Sequence, residues 1–136
     1  MAMDKALSRI VAIGLGCRTG VDGAAVAALV RRALAEFGAP ESALRLFTLA
    51  AKGDEPGLVE AARLLAAPLT PLPLEALQAQ AARVLTRSEA VEARFGVPAV
   101  AETAALAGAG EGGRLLGPRL AEGGATCAVA VSKERP

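Results

Sequence analysis

Alternating short apolar runs and amphipathic stretches predict an α/β fold, a three-layer α/β/α sandwich around a mostly parallel (mixed) sheet. Three observations carry that expectation. Arg9–Ile13 is a β-branched apolar run followed by a glycine-rich segment and then a helical pattern, a strand–turn–helix unit. A second apolar run at Leu44–Leu49 leads into a proline-started helix. Two late runs joined by a short Gly-rich link, Leu115–Leu116 and Ala125–Val131, read as an antiparallel hairpin on the otherwise parallel sheet. The 136 residues fit one domain, with 1–8 and 132–136 expected as flexible ends.

The elements follow in order. Asp22 is suited to cap the first helix, whose apolar face is Val26, Leu29, Val30, Ala33 and Phe37, with Arg31, Arg32 and Glu36 on the wet side. Gly38 stops it and Pro40 keeps it stopped. Pro56 fits the first turn of the second helix, given an apolar face by Leu58, Val59, Ala62 and Leu65. Residues 68–73 read as a short strand held by prolines. Helices are expected at 74–82, at 88–95, and from the Gly96-Val97-Pro98 opening to about Ala107, with a flexible loop at 108–113.

Composition narrows the function. The chain has 53% hydrophobic residues, mostly small, and only Phe37, Phe47 and Phe95 as aromatics, so it offers no stacking platform for single-stranded nucleic acid. A formal net charge of +1, with no basic arm or tail, argues against nucleic acid altogether. No apolar run is long enough for a membrane span, and residues 1–9 lack the layout of a signal peptide. Two cysteines make no disulfide framework, which points to the cytoplasm. The absence of histidine excludes Ser-His-Asp and Cys-His chemistry and disfavours a zinc site, so no metal is expected.

Three segments hold groups able to do chemistry. Gly14-Leu15-Gly16-Cys17-Arg18-Thr19-Gly20 has G-x-G-x-x-x-G spacing, one residue off the dinucleotide fingerprint, and Asp54 comes too late for its acidic partner. It reads either as an anion-receiving turn before a helix N-terminus, which includes a nucleotide-phosphate loop, or as a plain tight turn. Arg18 is a fixed cation for a carboxylate or phosphate, or a solvated surface arginine. Cys17 is a nucleophile without a base or a small packing residue, whereas Cys127 belongs to the core. Lys52, Asp54 and Glu55 serve either as helix-start capping or as a ligand-facing lysine with a carboxylate acid or base. Gly123 and Gly124 make a hairpin turn or keep a crevice wall open. Thr126 follows with a hydroxyl.

Taken in order, the motifs Gly14-Leu15-Gly16-Cys17-Arg18, Lys52-Gly53-Asp54-Glu55-Pro56-Gly57-Leu58, Gly96-Val97-Pro98-Ala99-Val100-Ala101-Glu102 and Gly123-Gly124-Ala125-Thr126-Cys127-Ala128-Val129-Ala130 resemble the family formed by CobE and the C-terminal domain of CbiG, proteins of cobalamin biosynthesis. The resemblance runs from Ile10 to Val131. It implies a role in building the corrin ring. Full-length CbiG opens a lactone on cobalt-precorrin-5A and releases acetaldehyde; this chain has room only for the C-terminal domain and is similar to free-standing CobE.

What the resemblance implies for the site is a precorrin or corrinoid ligand, with Lys52 and the acidic pair Asp54 and Glu55 carried over. Such intermediates are large, flat and rich in carboxylates. A crevice edged by two helix N-termini, with Arg18 and Lys52 beside them, suits a polyanion. No separate cofactor or metal is required, because cobalt arrives inside the ring. Carrying, protecting and modifying the intermediate all remain open, with Asp54 or Glu55 as the base if bonds are broken. Partners are the small molecule and other corrin-pathway enzymes, and an Ala-rich helix face is compatible with a homodimer. The competing class is a small nucleotide-binding α/β domain.

Overall fold

The computed structural model describes residues 9–41 and 43–133. The first strand, β1 (Val11–Cys17), alternates its side chains: Val11, Ile13 and Leu15 face one side of the sheet, and Ala12, Gly14 and Gly16 the other. Helix α1 (Gly23–Phe37) follows, its N-terminus capped by the Asp22 carboxylate, which accepts from the Ala25 amide at 3.1 Å. Gly38 ends it in the left-handed conformation, with φ 65°. Strand β2 (Leu44–Leu49) leads through a single 3₁₀ turn at Ala50–Lys52 into α2 (Pro56–Leu65), with Pro56 in its first turn.

Strand β3 (Leu69–Leu72) and the short helix α3 (Leu74–Gln78) come next, then α4 (Glu89–Phe95) and α5 (Val100–Ala109). Strands β4 (Arg114–Leu115), β5 (Leu120–Glu122) and β6 (Ala125–Val131) complete the chain's order. The six strands form one mixed sheet in the order β3-β2-β1-β6-β4, with β5 also paired to β6. β1, β2 and β3 are mutually parallel, and β6 runs antiparallel to β1, β4 and β5.

Two cores result, one on each face. Ile13, Leu15, Leu46, Cys127 and Val129 pack beneath α1 and α2. Ala12, Phe47, Ala128 and Ala130 pack beneath α5, with Leu77 of α3 beside them. The three-layer α/β/α architecture is therefore the one the sequence predicts. The small side chains on the second face let α5 lie close against the sheet.

Several expectations are corrected. Val59 is 51% exposed and leaves the inner face of α2, where Leu58, Ala62 and Leu65 pack as expected and Ala61 joins them. The 74–82 helix stops at Gln78 and resumes only as a 3₁₀ turn at Ala81–Arg83. Gly108 belongs to α5, because its bare Cα lies against the Phe47 ring. The hairpin into β6 starts from β5, through Gly123 and Gly124 with φ 61° and 85°, the backbone that a two-residue primed turn demands. Ser132 is pinned: its hydroxyl accepts from the Ile10 amide at 2.8 Å, and its amide donates to the Ile10 carbonyl at 3.1 Å. The expected flexible ends at 1–8 and 134–136 lie outside the described residues.

Candidate functional site

The carboxyl ends of the parallel strands β1 and β2 and the start of β6 open onto a cleft of about 220 Å³. This is where an α/β sheet presents its ligands. The first correction concerns the glycine-rich segment. Gly14, Leu15, Gly16 and Cys17 do not turn but continue β1: all four pair with β6, and Gly14 and Leu15 pair with β2 as well. As extended strand they lack the turn that would curl round a phosphate.

Glycine is needed there for a different reason. A Cβ on Gly14 would collide with the Ala101 carbonyl of α5, and one on Gly16 would stand 2.7 Å from the Thr126 hydroxyl. Gly14 admits the helix α5, and Gly16 admits the Thr126 hydroxyl of β6. The turn proper is Arg18–Gly20, where Gly20 has φ 83°.

That turn is tied to the end of β2. The Gly20 amide donates to Glu55 Oε2 at 3.1 Å, and Lys52 Nζ donates to Thr19 Oγ1 at 3.3 Å. Lys52 and Glu55 form an ion pair at 3.8 Å, both largely buried. Glu55 therefore acts on the turn, while Asp54 beside it is exposed; neither carboxylate lines the cleft. Arg18 donates its amide to the Gly124 carbonyl at 2.9 Å, and its side chain lies over the bare Cα of Gly124. Gly123 sits in the turn outside the lining, and Thr126 lines the cleft from β6.

Among the described residues, four cations reach the cleft, Arg18, Lys52, Arg94 and Arg119, and no carboxylate lines it. Arg94 and Arg119 have no counterpart in the sequence reading, nor do Ser88 and the apolar Leu49, Val91, Phe95 and Val100. Ser88 caps α4, accepting from the Val91 amide at 3.2 Å. With Val91 and Arg94 it recurs every third residue, so one side of α4 faces the cleft. That spacing was the available signal.

The helix N-terminus at the cleft also differs from expectation. α1 and α2 start away from the lining residues, whereas α5 starts on it through Ala99 and Val100. No side chain caps α5, so the positive end of its dipole is directed at the cleft.

Cys17 lies in the lining too. Burial pushes its thiol above the ordinary value; Lys52 opposes this and Glu55 adds to it. It is held as a thiol rather than a thiolate. Cys127 is buried in the core, where desolvation pushes it up to about 12. The arrangement as a whole can take up an anion bearing several carboxylates together with an apolar surface.

Fold and cleft thus define a small α/β domain whose strand ends form a cation-lined cleft. Residues 11–130 match the family model described as cobalamin synthesis G C-terminus. A CobE protein from a Sinorhizobium species is 39% identical over 119 residues, 87% of this chain and 77% of that protein. The crystal structure of CobE, a protein from the cobalamin biosynthetic pathway, superimposes with a TM-score of 0.86 at 34% identity, covering 94% of each chain. The cobalamin biosynthesis protein chiG from Agrobacterium tumefaciens gives a TM-score of 0.71 at 42% identity, over 92% of this chain and all (100%) of that one. The chain belongs to this family of cobalamin biosynthesis proteins, of the CobE and CbiG C-terminal type.

Proposed function

We propose that the cleft binds a polycarboxylated precorrin or corrinoid intermediate and holds it without breaking bonds. The observation that supports this is the convergence of Arg18, Lys52, Arg94 and Arg119 in a cleft lined by no carboxylate. Guanidinium groups meet carboxylates through paired, charge-assisted hydrogen bonds. The uncapped start of α5 adds to the same field, and Leu49, Val91, Phe95 and Val100 offer the apolar surface that a macrocycle face requires.

Holding is favoured over lactone opening by where the acidic pair sits. A general base must reach the water it activates. Glu55 instead accepts from Gly20 and pairs with Lys52, and Asp54 is outside the lining. The nucleotide alternative is weakened because Gly14–Cys17 are extended strand and not the glycine turn that receives a phosphate.

Native mass spectrometry after co-production with the corrin-pathway enzymes tests the reading. The expected result is a retained intermediate of unchanged mass that is lost at high salt. Retention of an intermediate altered by the protein would replace holding with catalysis. Binding of NAD(P)H or ATP, with no corrinoid retained, would overturn the assignment.

A further inference from the structure

The cleft walls share a support that lies outside it. Glu102, in the first turn of α5, is wholly buried at 0% exposure, yet it makes no ion pair among the described residues. Its Oε1 accepts from the amides of Leu85 at 2.7 Å and Thr86 at 2.9 Å, and its Oε2 accepts from the amide of Arg119 at 2.9 Å. Three backbone donors from two separate loops converge on one acceptor-only group. Such bonds offset the cost of burying a carboxylate.

Each loop carries part of the cleft. Arg119 is itself one of the four cations. Two residues after Thr86 comes Ser88, which lines the cleft and caps α4, the helix that supplies Val91 and Arg94. One buried carboxylate thus fixes the backbone beneath two of the four cations, at Arg119 itself and just ahead of α4, which carries Arg94. We propose that Glu102 is the positioning residue of the binding cleft, setting ligand affinity through Arg119 while touching no ligand itself. This rests on the reading of the cleft as a carboxylate site.

Glu102→Gln makes the test specific. The amide oxygen can still accept from Leu85 and Thr86, but its NH₂ group then faces the Arg119 amide, donor against donor. Residue-resolved hydrogen exchange should show the Arg119 amide exchanging roughly 10-fold faster or more, with Leu85 and Thr86 still protected. Affinity for cobyrinic acid, used as a corrin polycarboxylate probe, should fall about 10-fold. In an Arg119→Gln background the same substitution should add nothing.

Additive losses, or a lowered Tm with Arg119 exchange and affinity unchanged, would reduce Glu102 to a structural residue and overturn the proposal. If the wild-type protein does not bind cobyrinic acid, the carboxylate-site reading fails on its own, and the exchange measurement still decides whether Glu102 holds Arg119. Should the variant not fold, native-state exchange of the wild-type protein under rising denaturant replaces it. The Leu85, Thr86 and Arg119 amides should then open together, and independent opening would overturn the clamp.

Discussion

Gly14 of β1 and Ala101 of α5 are in such close approach that the Ala101 carbonyl oxygen occupies the space a Cβ at position 14 would need. The Ala105 amide lies on the same spot, so the obstruction is backbone and cannot rotate away. Gly14→Ala should therefore cost about 1–3 kcal/mol or more through overpacking. That corresponds to a fall in Tm of roughly 5–15 °C in a thermal melt. Gly20→Ala is the contrasting variant: nothing lies within 4 Å, and the cost is only that of φ 83°, about 1–2 kcal/mol. Equal losses at both positions would contradict the packing account.

The cations should be separable by titration. Arg18→Ala, Arg94→Ala and Arg119→Ala should each weaken binding of a corrin polycarboxylate by roughly 5- to 30-fold, about 1–2 kcal/mol. Each should also flatten the dependence of affinity on salt. Arg31→Ala is the control, because Arg31 pairs with Glu41 at 3.2 Å on the exposed surface. An affinity unchanged by Arg18→Ala would remove that residue from the site.

Cys17 should alkylate slowly. Because burial raises its thiol pKa, the thiolate fraction at pH 8 is below that of an exposed cysteine. Lys52→Ala removes the lowering influence and should slow iodoacetamide further, whereas Glu55→Gln should speed it. Rates measured against pH check the ordering; the reverse order would mean that Cys17 sits in a different field.

Cys127 gives the fold an alkaline weakness. Its thiol loses its proton at the ordinary value of 9.0 in the unfolded chain but at about 12 when folded. Between those values the unfolded state binds fewer protons, so stability falls as pH rises. The slope from this group is at most about 1.4 kcal/mol per pH unit, with no contribution below the lower value. Denaturant unfolding between pH 9 and 11 should show the slope in the native protein, and Cys127→Ala should lack that part of it.

How far the sequence carried the reading depends on the range of the forces involved. Asp22, Gly38, Pro56 and Ser88 mark helix boundaries through contacts within a few residues, and the structure has them all as boundary residues. Gly14 and Gly16 misled because glycine alone does not show whether the chain bends or something else must come close. At Gly14 the visitor is α5, about ninety residues later, and at Gly16 it is Thr126 of β6. β5 escaped notice because Leu120–Glu122 is too short for alternation to register.

At the cleft, Gly16, Cys17, Arg18, Lys52, Gly124 and Thr126 were legible from their strand-end positions. Arg119 was not, since a lone arginine after Gly117-Pro118 carries no local pattern. The bond from its amide to Glu102 and the pairing of the next residue, Leu120, with Cys127 place it.

β6 enters between β1 and β4 although it follows every other element in the chain. Val11 pairs with Val131 and Cys17 with Ala125, so the middle of the sheet is closed by partners more than a hundred residues apart. Such distant pairing is paid for in loop entropy before it is rewarded, and slows folding. During synthesis on a ribosome, the nascent domain would have β1 lacking one neighbour until the segment through Val131 clears the exit tunnel. Its unpaired edge is then exposed to chaperones or to another chain, and a stop codon before Ala125 should yield an aggregating product rather than a smaller working one.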